Sequence, residues 1–289
     1  MELMRTGGLK KALVLSFCLL AVAASASAQD TAKRGSNLDQ PRIVYFPAKG
    51  LKKQLLTQAN ITNHGGPVIT QAHVVFIFWG PTFANTASSD HTYATTLQSF
   101  RNQFGTTGQY GTITQYSGIF LTDLAGGTAD FFDTSTPPTN VTDSAVQGEV
   151  NKYLSTHTKD NNAIYEVVIS STSFSSSGSS TSCGGPQVAY CAYHSWIGSG
   201  TTAIKYAILP WPRCFACQVS GWSDVQNQEH FVTHETREAV TDPTGSTWFD
   251  ASGQEADDKC AWSPTPFLSG GFGYQYEWSN ANGGCIQTR

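Results

Sequence analysis

The sequence predicts a single α/β or α+β domain, on three observations. Continuous apolar runs recur at HVVFIFW (73–79), AIYEVVIS (163–170) and AIKYAILPW (203–211), as strands buried on both faces do. Stretches with helical spacing lie between and after them, at 89–104, 144–156 and 224–240. The chain has 289 residues and no internal repeat, which suits one large domain or two small ones.

The N-terminus reads as a secretory signal. Arg5, Lys10 and Lys11 precede an apolar run from Ala12 to about Ala24, followed by the small-residue triplet Ala26-Ser27-Ala28. Residues 1–28 are therefore expected to be removed near Ala28, leaving a secreted or periplasmic chain. The apolar run is too short to span a bilayer and no later run is longer, so no membrane span is expected. Phe17 before Cys18 disfavours a lipid anchor, which wants a small residue there.

Removing 28 residues from 289 leaves 261, with 14 Lys+Arg against 20 Asp+Glu and a net charge of about −6. There is no basic block, so nucleic acid is not an expected partner. Six cysteines remain: Cys183, Cys191, Cys214, Cys217, Cys260 and Cys285. An even count in an exported chain points to disulfides. Proximity in sequence suggests Cys183 with Cys191, Cys214 with Cys217, and Cys260 with Cys285. A zinc site made by the first four is the alternative.

Residues 29–66 are polar and read as an extended N-terminal segment, with Val44-Tyr45-Phe46 packing on the main body, 67–289. After the first strand and its Gly80-Pro81 turn, Ser89 or Asp90 caps a helix over 89–104. Residues 110–117 are expected as a strand and 144–156 as a second helix. STSFSSSGSSTS (171–182) is expected as a flexible loop. The third helix starts at Ser223 or Asp224 and ends at Pro243, with Val225, Val232 and Ala239 facing a core. The aromatic C-terminal region, GFGYQYEWS, reads as a hairpin.

That third helix carries His234-Glu235-x-x-Glu238. Zinc peptidases carry His-Glu-x-x-His on a helix, where the two His bind metal and the Glu acts as base. His234 and Glu238, four apart, share a helix face, and Glu235 lies beside it. Two ligands would hold a metal, and the neighbouring carboxylate would take the proton of a water that the metal polarises. FDASGQEADDKC supplies a third ligand, Glu255 first and Asp258 second. Zn²⁺ is the first expectation from the motif, but one His with two carboxylates is harder and more anionic than His₂Glu, which weakens the preference for Zn²⁺ and admits Mn²⁺ or Ca²⁺. Asp242 is placed to orient a ligand. His230 and His194 are further candidates, as extra ligands or, for His194, a proton donor. The bland reading of both is a hydrogen-bonded structural histidine. The bland reading of the motif is a solvated face on which Glu235 and Glu238 pair with Arg237. Tyr274 and Tyr276 suit aromatic packing better than an oxyanion role. Cys214-x-x-Cys217 lacks a thioredoxin-like setting.

In order along the chain, HVVFIFWGPTF, CGGPQVAYCAYHSW, YAILPWPRCFAC, THETREAVTDP, GQEADDKC and EWSNANGGC resemble the EXORDIUM, or phosphate-induced protein 1, family over roughly residues 70 to 287. In that family the comparable helix also reads His-Glu-x-x-Glu, and Glu-x-x-Asp-x-Cys follows, matching His234, Glu235, Glu238, Glu255, Asp258 and Cys260. The resemblance implies secretion, and in plants a link to growth responses in the cell-wall space. The long Ser-rich loop and the Cys183 to Cys191 spacing depart from the plant pattern. About ten residues, HETREAVTD, are also similar to the motif helix of the thermolysin-like gluzincins, which take a third ligand from a later Glu, as Glu255 would be.

The expected architecture is thus a zincin-like domain with a mixed sheet, a motif helix and a disulfide-stapled C-terminal half. The first functional expectation is a secreted zinc-dependent hydrolase of peptide bonds. The alternative is a non-catalytic extracellular or cell-wall binding protein with a structural metal site or none. Its partner would be a peptide, a protein or a cell-wall polysaccharide. The sequence names neither a substrate nor an oligomeric state.

Overall fold

The computed structural model describes residues 41–51 and 59–289. The expected signal peptide, 1–28, and residues 29–40 and 52–58 of the N-terminal segment lie outside the described residues.

Six strands form the central sheet: β1 (Val44–Pro47), β2 (His73–Trp79), β3 (Phe131–Asp133), β4 (Ala163–Ile169), β5 (Tyr190–Ile197) and β6 (Ile204–Leu209). Their order across the sheet is β1-β5-β6-β4-β2-β3. The last four in that order run parallel, β5 is antiparallel to β6, and β1 is antiparallel to β5. The sheet is therefore mixed, as expected for an α/β protein.

Side chains alternate between the two faces, and both faces are covered. Val74, Phe76 and Phe78 share one core with Leu97 and Phe100 of helix α1 (Ser89–Phe104). Phe231, Val232 and Ala239 of helix α3 (Asp224–Thr241) belong to the same core. Val75, Ile77, Val167 and Ile169 face the other way. They join Val146, Val150 and Tyr153 of helix α2 (Asp143–Leu154). The three helices expected from sequence are thus present, with boundaries shifted by one or two residues. Ser88, rather than Ser89 or Asp90, caps α1 by accepting the Asp90 N–H.

Two local expectations are corrected, and one strand is added. Residues 110–117 are not a strand; Gly108–Gly111 is helical and Thr112–Gln115 is a 3-10 turn. The Thr107 and Thr114 hydroxyls and the Gln115 amide bond the local backbone, which favours turns over an extended chain. The Ser-rich stretch is not a loose loop. Phe174–Ser177 and Ser180–Thr181 are paired strands, and buried Ser175 bonds Tyr190 through its hydroxyl and Ser182 Oγ through its N–H. The CAYHSW segment is the antiparallel strand β5, which the sequence did not announce because its small and polar residues break the apolar run.

The cysteines pair as Cys183–Cys214, Cys191–Cys217 and Cys260–Cys285. Only the last matches the pairing suggested by proximity in sequence, and the four-cysteine zinc site is excluded by the two other bonds. Cys214 and Cys217 flank a short turn, Phe215–Cys217, that folds back over the start of β5. Each therefore meets a cysteine of the returning strand or its lead-in rather than its neighbour. The result ties the segment before α3 to the sheet.

Helix α3 begins with a reciprocal cap between Ser223 and Gln226. It is buried from Asn227 to Thr241, polar residues included. The hairpin Phe267–Ser269/Phe272–Tyr274 lies directly on it. A Cβ at Gly273 would sit 2.1 Å from the Gln226 carbonyl oxygen, so this close approach requires glycine. There the Gly273 N–H donates to Glu229 at 2.7 Å.

Burial raises the Glu229 carboxyl from 4.5 to about 8, against the opposing effect of that N–H bond. Between those two values the folded chain holds a proton that the unfolded chain has released. This group's contribution to stability is therefore full below about pH 4.5 and is lost as pH rises toward 8. Glu229→Gln keeps an acceptor for Gly273 and removes the titration. Its urea midpoint relative to wild type is expected to climb steadily between pH 5 and pH 9; a constant offset would refute this.

A buried carboxylate and histidine centre

A single cross-strand row of the sheet underlies α3. In register, Val44 lies beside His194, His194 beside Ala207, Ala207 beside Glu166, and Glu166 beside Phe76. The α3 side chains meet this row. Thr236 donates to Glu166 at 2.7 Å, and His194 Nδ1 lies 3.1 Å from Glu235 Oε2. His194 Nδ1 is also 3.7 Å from Glu238 Oε2, and its Nε2 is 3.9 Å from Glu255 Oε2.

On the helix itself His234 Nε2 is 3.2 Å from Glu238 Oε2, the i, i+4 contact that the motif spacing predicts. Glu255 occupies the N-cap position of the short helix α4 (Ala256–Cys260) without a side-chain capping bond, and the Asp258 N–H of that helix donates to Glu238 Oε1 at 2.8 Å. Ligand atoms of His194, Glu235 and Glu238 fall within 4.8 Å of one another, and so do those of His234, Glu238 and Asp258. The structure thus brings together His234, Glu235, Glu238, Glu255, Asp258 and His194. All but Asp258 are fully buried. The solvated-face reading of the motif is excluded.

Arg237 does not pair with the motif carboxylates. It is itself buried and binds Asp257, with Glu277 3.2 Å from its Nε. Its guanidinium also donates to the carbonyls of Gln109 and Gln275. Lys259 holds Asp250 at 3.0 Å, and the 252–254 turn also donates to it. Of the four carboxylates in FDASGQEADDKC, Asp257 pairs with Arg237 and Asp250 with Lys259, while Glu255 and Asp258 lie at the centre.

Other candidates stand outside it. Asp242 accepts the Thr247 N–H at 2.6 Å and shapes the turn after α3. Tyr274 and Tyr276 bond Gln103 and Gln287, as packing residues would. His230 bonds Gln275 and sits edge-on to Trp262, and burial drops its pKa to about 3, so it is neutral.

Gln275 is a site residue that sequence reasoning missed. Its amide NH₂ donates to Asp257 O and Oδ1, which fixes the amide orientation. Its Oε1 then accepts from His230 Nε2 at 2.9 Å and from His234 Nδ1 at 3.2 Å. A proton on Nδ1 suits that acceptor, and Nε2 then faces the Glu238 carboxylate. Two acceptors at 3.2 Å repel unless a proton or a cation lies between them. Burial, reinforced by Glu238 and Glu166, holds Glu235 well above the usual carboxylate range. Glu235 Oε1 has no hydrogen-bond partner among the described residues. No signal marked Gln275 in the sequence, because it lies 41 residues from His234 in an aromatic hairpin region.

Comparison with protein-family models, with curated proteins and with solved structures returned no match. The three disulfides fit an extracellular protein, and among the described residues no helix is long and apolar enough to cross a membrane.

Gln275→Leu removes the acceptor shared by the two histidines and the donor to Asp257. Leaving these buried groups unbonded is expected to cost about 2–4 kcal/mol, read from urea unfolding at pH 7. A change under about 0.5 kcal/mol would show that Gln275 does not organise the centre.

Proposed function

We propose that this is a secreted metal-dependent hydrolase of peptide bonds. His234, Glu238 and Glu255 would hold the metal, Zn²⁺ first and Mn²⁺ or Ca²⁺ as alternatives, with Asp258 alongside. The observation that carries the reading is the placement of His234 between Gln275 and Glu238. Its Nε2 faces Glu238 at 3.2 Å inside a site that also gathers Glu255 and His194. Nitrogen and carboxylate donors in a fully buried pocket suit a divalent cation, which would offset the crowded negative charge.

A bound metal would supply Lewis acidity toward a carbonyl and lower the pKa of water. The chain's own groups do the rest. Glu235 would be the general base, with a bound cation beside it favouring the carboxylate form that burial opposes; its Oε2 lies 3.1 Å from His194. His194 positions Glu235, and its Nε2 faces Glu255. Gln275 would favour the metal-binding tautomer of His234. The ordered motifs shared with the EXORDIUM family agree with this reading as regards secretion.

A second reading, a non-catalytic structural metal, is favoured by the closure of the centre. His194, His234, Glu235, Glu238 and Glu255 are each 0 % exposed, and a catalytic metal needs a position that substrate can reach.

Metal analysis of the purified mature protein by mass spectrometry tests both readings. About one equivalent of metal is expected, lost in His234→Ala and Glu238→Ala. Absence of metal after reconstitution with Zn²⁺, Mn²⁺ and Ca²⁺ would sink the site. Glu235→Gln separates the readings. It is expected to keep the metal and to lower peptide hydrolysis about 10²–10⁴-fold. A metal-loaded wild type that cleaves no member of a diverse peptide library would favour the structural reading.

A further inference from the structure

Among the described residues, one strand lies over the His234 face of the centre. That strand, β1, is an edge strand among the described residues, paired on one side to β5. It runs past the centre, with Val44 in register with His194. Two residues on, the Phe46 ring stacks on the His234 ring, centroids 4.2 Å apart and planes within 23°. The ring also stacks on Trp262 at 5.1 Å and meets His230 and Phe231 edge-on. Phe46 is 0 % exposed, whereas Tyr45 before it is 37 % exposed.

The main chain of this segment is gripped at both ends. Ser195 donates to the Arg42 carbonyl at 2.6 Å, and Trp262 Nε1 donates to the Pro47 carbonyl at 2.8 Å. Backbone pairing to a sheet edge, with one side chain sunk in a pocket, is how a sheet receives an extended peptide. Pro41 lies exposed before the strand, and Gly50 and Leu51 after it.

We propose that β1 is an internal occupant of a peptide-binding groove. The groove is formed by the free edge of β5 and an aromatic socket of His230, Phe231, His234 and Trp262. Its ligand is an extended peptide laid antiparallel to β5, with an aromatic side chain two residues beyond the position facing His194. In the described state the protein is self-occupied, and release of β1 opens the groove. The catalytic consequence rests on the hydrolase reading above, because release would also bring an extended substrate against Glu235 and the metal ligands. Phe46 contributes affinity for the socket, and pairing with β5 sets direction and register.

The test needs neither metal nor turnover, so its failure and failure of the hydrolase reading are separable. A recognition sequence for a specific protease is inserted between Gly50 and Leu51 of the full chain, and the folded protein is cut. A fluorescein-labelled synthetic peptide, Pro41 to Lys49, is then added in excess and followed by anisotropy. The cut protein is expected to keep a cooperative thermal transition once its fragment is gone and to bind the labelled peptide. The same peptide with Phe46→Ala is expected to bind at least about tenfold more weakly. A cut chain carrying Phe46→Ala should shed its fragment on gel filtration under conditions that retain the wild-type fragment. Three results would each overturn the proposal: unfolding of the body when the fragment leaves, no binding of the labelled peptide to the emptied protein, or equal binding of the two peptides. Any of them would make β1 an ordinary structural strand.

Discussion

The arrangement depends on one constraint: a polar helix lies inside the molecule. From Asn227 to Thr241 α3 is buried, and its buried side chains include Glu229, His230, His234, Glu235, Arg237 and Glu238. Polar groups removed from water must find partners or the fold fails. Each neighbouring element is therefore committed to supplying them. The 255–258 turn brings Asp257 to Arg237 and an N–H to Glu238. The C-terminal hairpins bring Gln275 and Glu277, and the sheet brings His194 and Glu166.

This constraint explains how charge is divided around the helix. Arg237 points to one side and takes Asp257 and Glu277. That pairing leaves the opposite side to the motif carboxylates and two imidazoles. Several carboxylates gathered in a low-dielectric interior are expensive unless protons or cations accompany them. The raised Glu235 carboxyl is one expression of that crowding. The same chemistry would make the pocket selective for a small divalent ion over a monovalent one.

The disulfides and the N-terminal strand complete the enclosure. Cys183–Cys214 and Cys191–Cys217 bind the lead-in of α3 to β5, the strand that carries His194. The two walls of the centre are thereby covalently tied. Strand β1 closes the remaining side by non-covalent contacts, chiefly the Phe46 ring and the β5 pairing. Two walls of the centre are thus joined covalently, and the strand beside them is held by packing and pairing alone.

The sequence by itself determined the elements whose signal is local. The buried strands β2, β4 and β6 announced themselves as apolar runs, and α1, α2 and α3 by period and caps. The spacing of His234, Glu235 and Glu238 fixed their shared helix face, because the helix repeat is a property of the backbone. Only the tertiary structure decided the rest. His194 joins the centre through strand pairing, Gln275 through a hairpin packed on the helix, and Phe46 from nearly 190 residues upstream. It also decided which cysteines meet, since the turn at 215–217 folds onto β5 and sequence proximity counts for nothing there. The physical reason is common to all of these. Contacts between distant segments depend on how faces pack, and a chain's local pattern shows that a face exists without showing what will cover it.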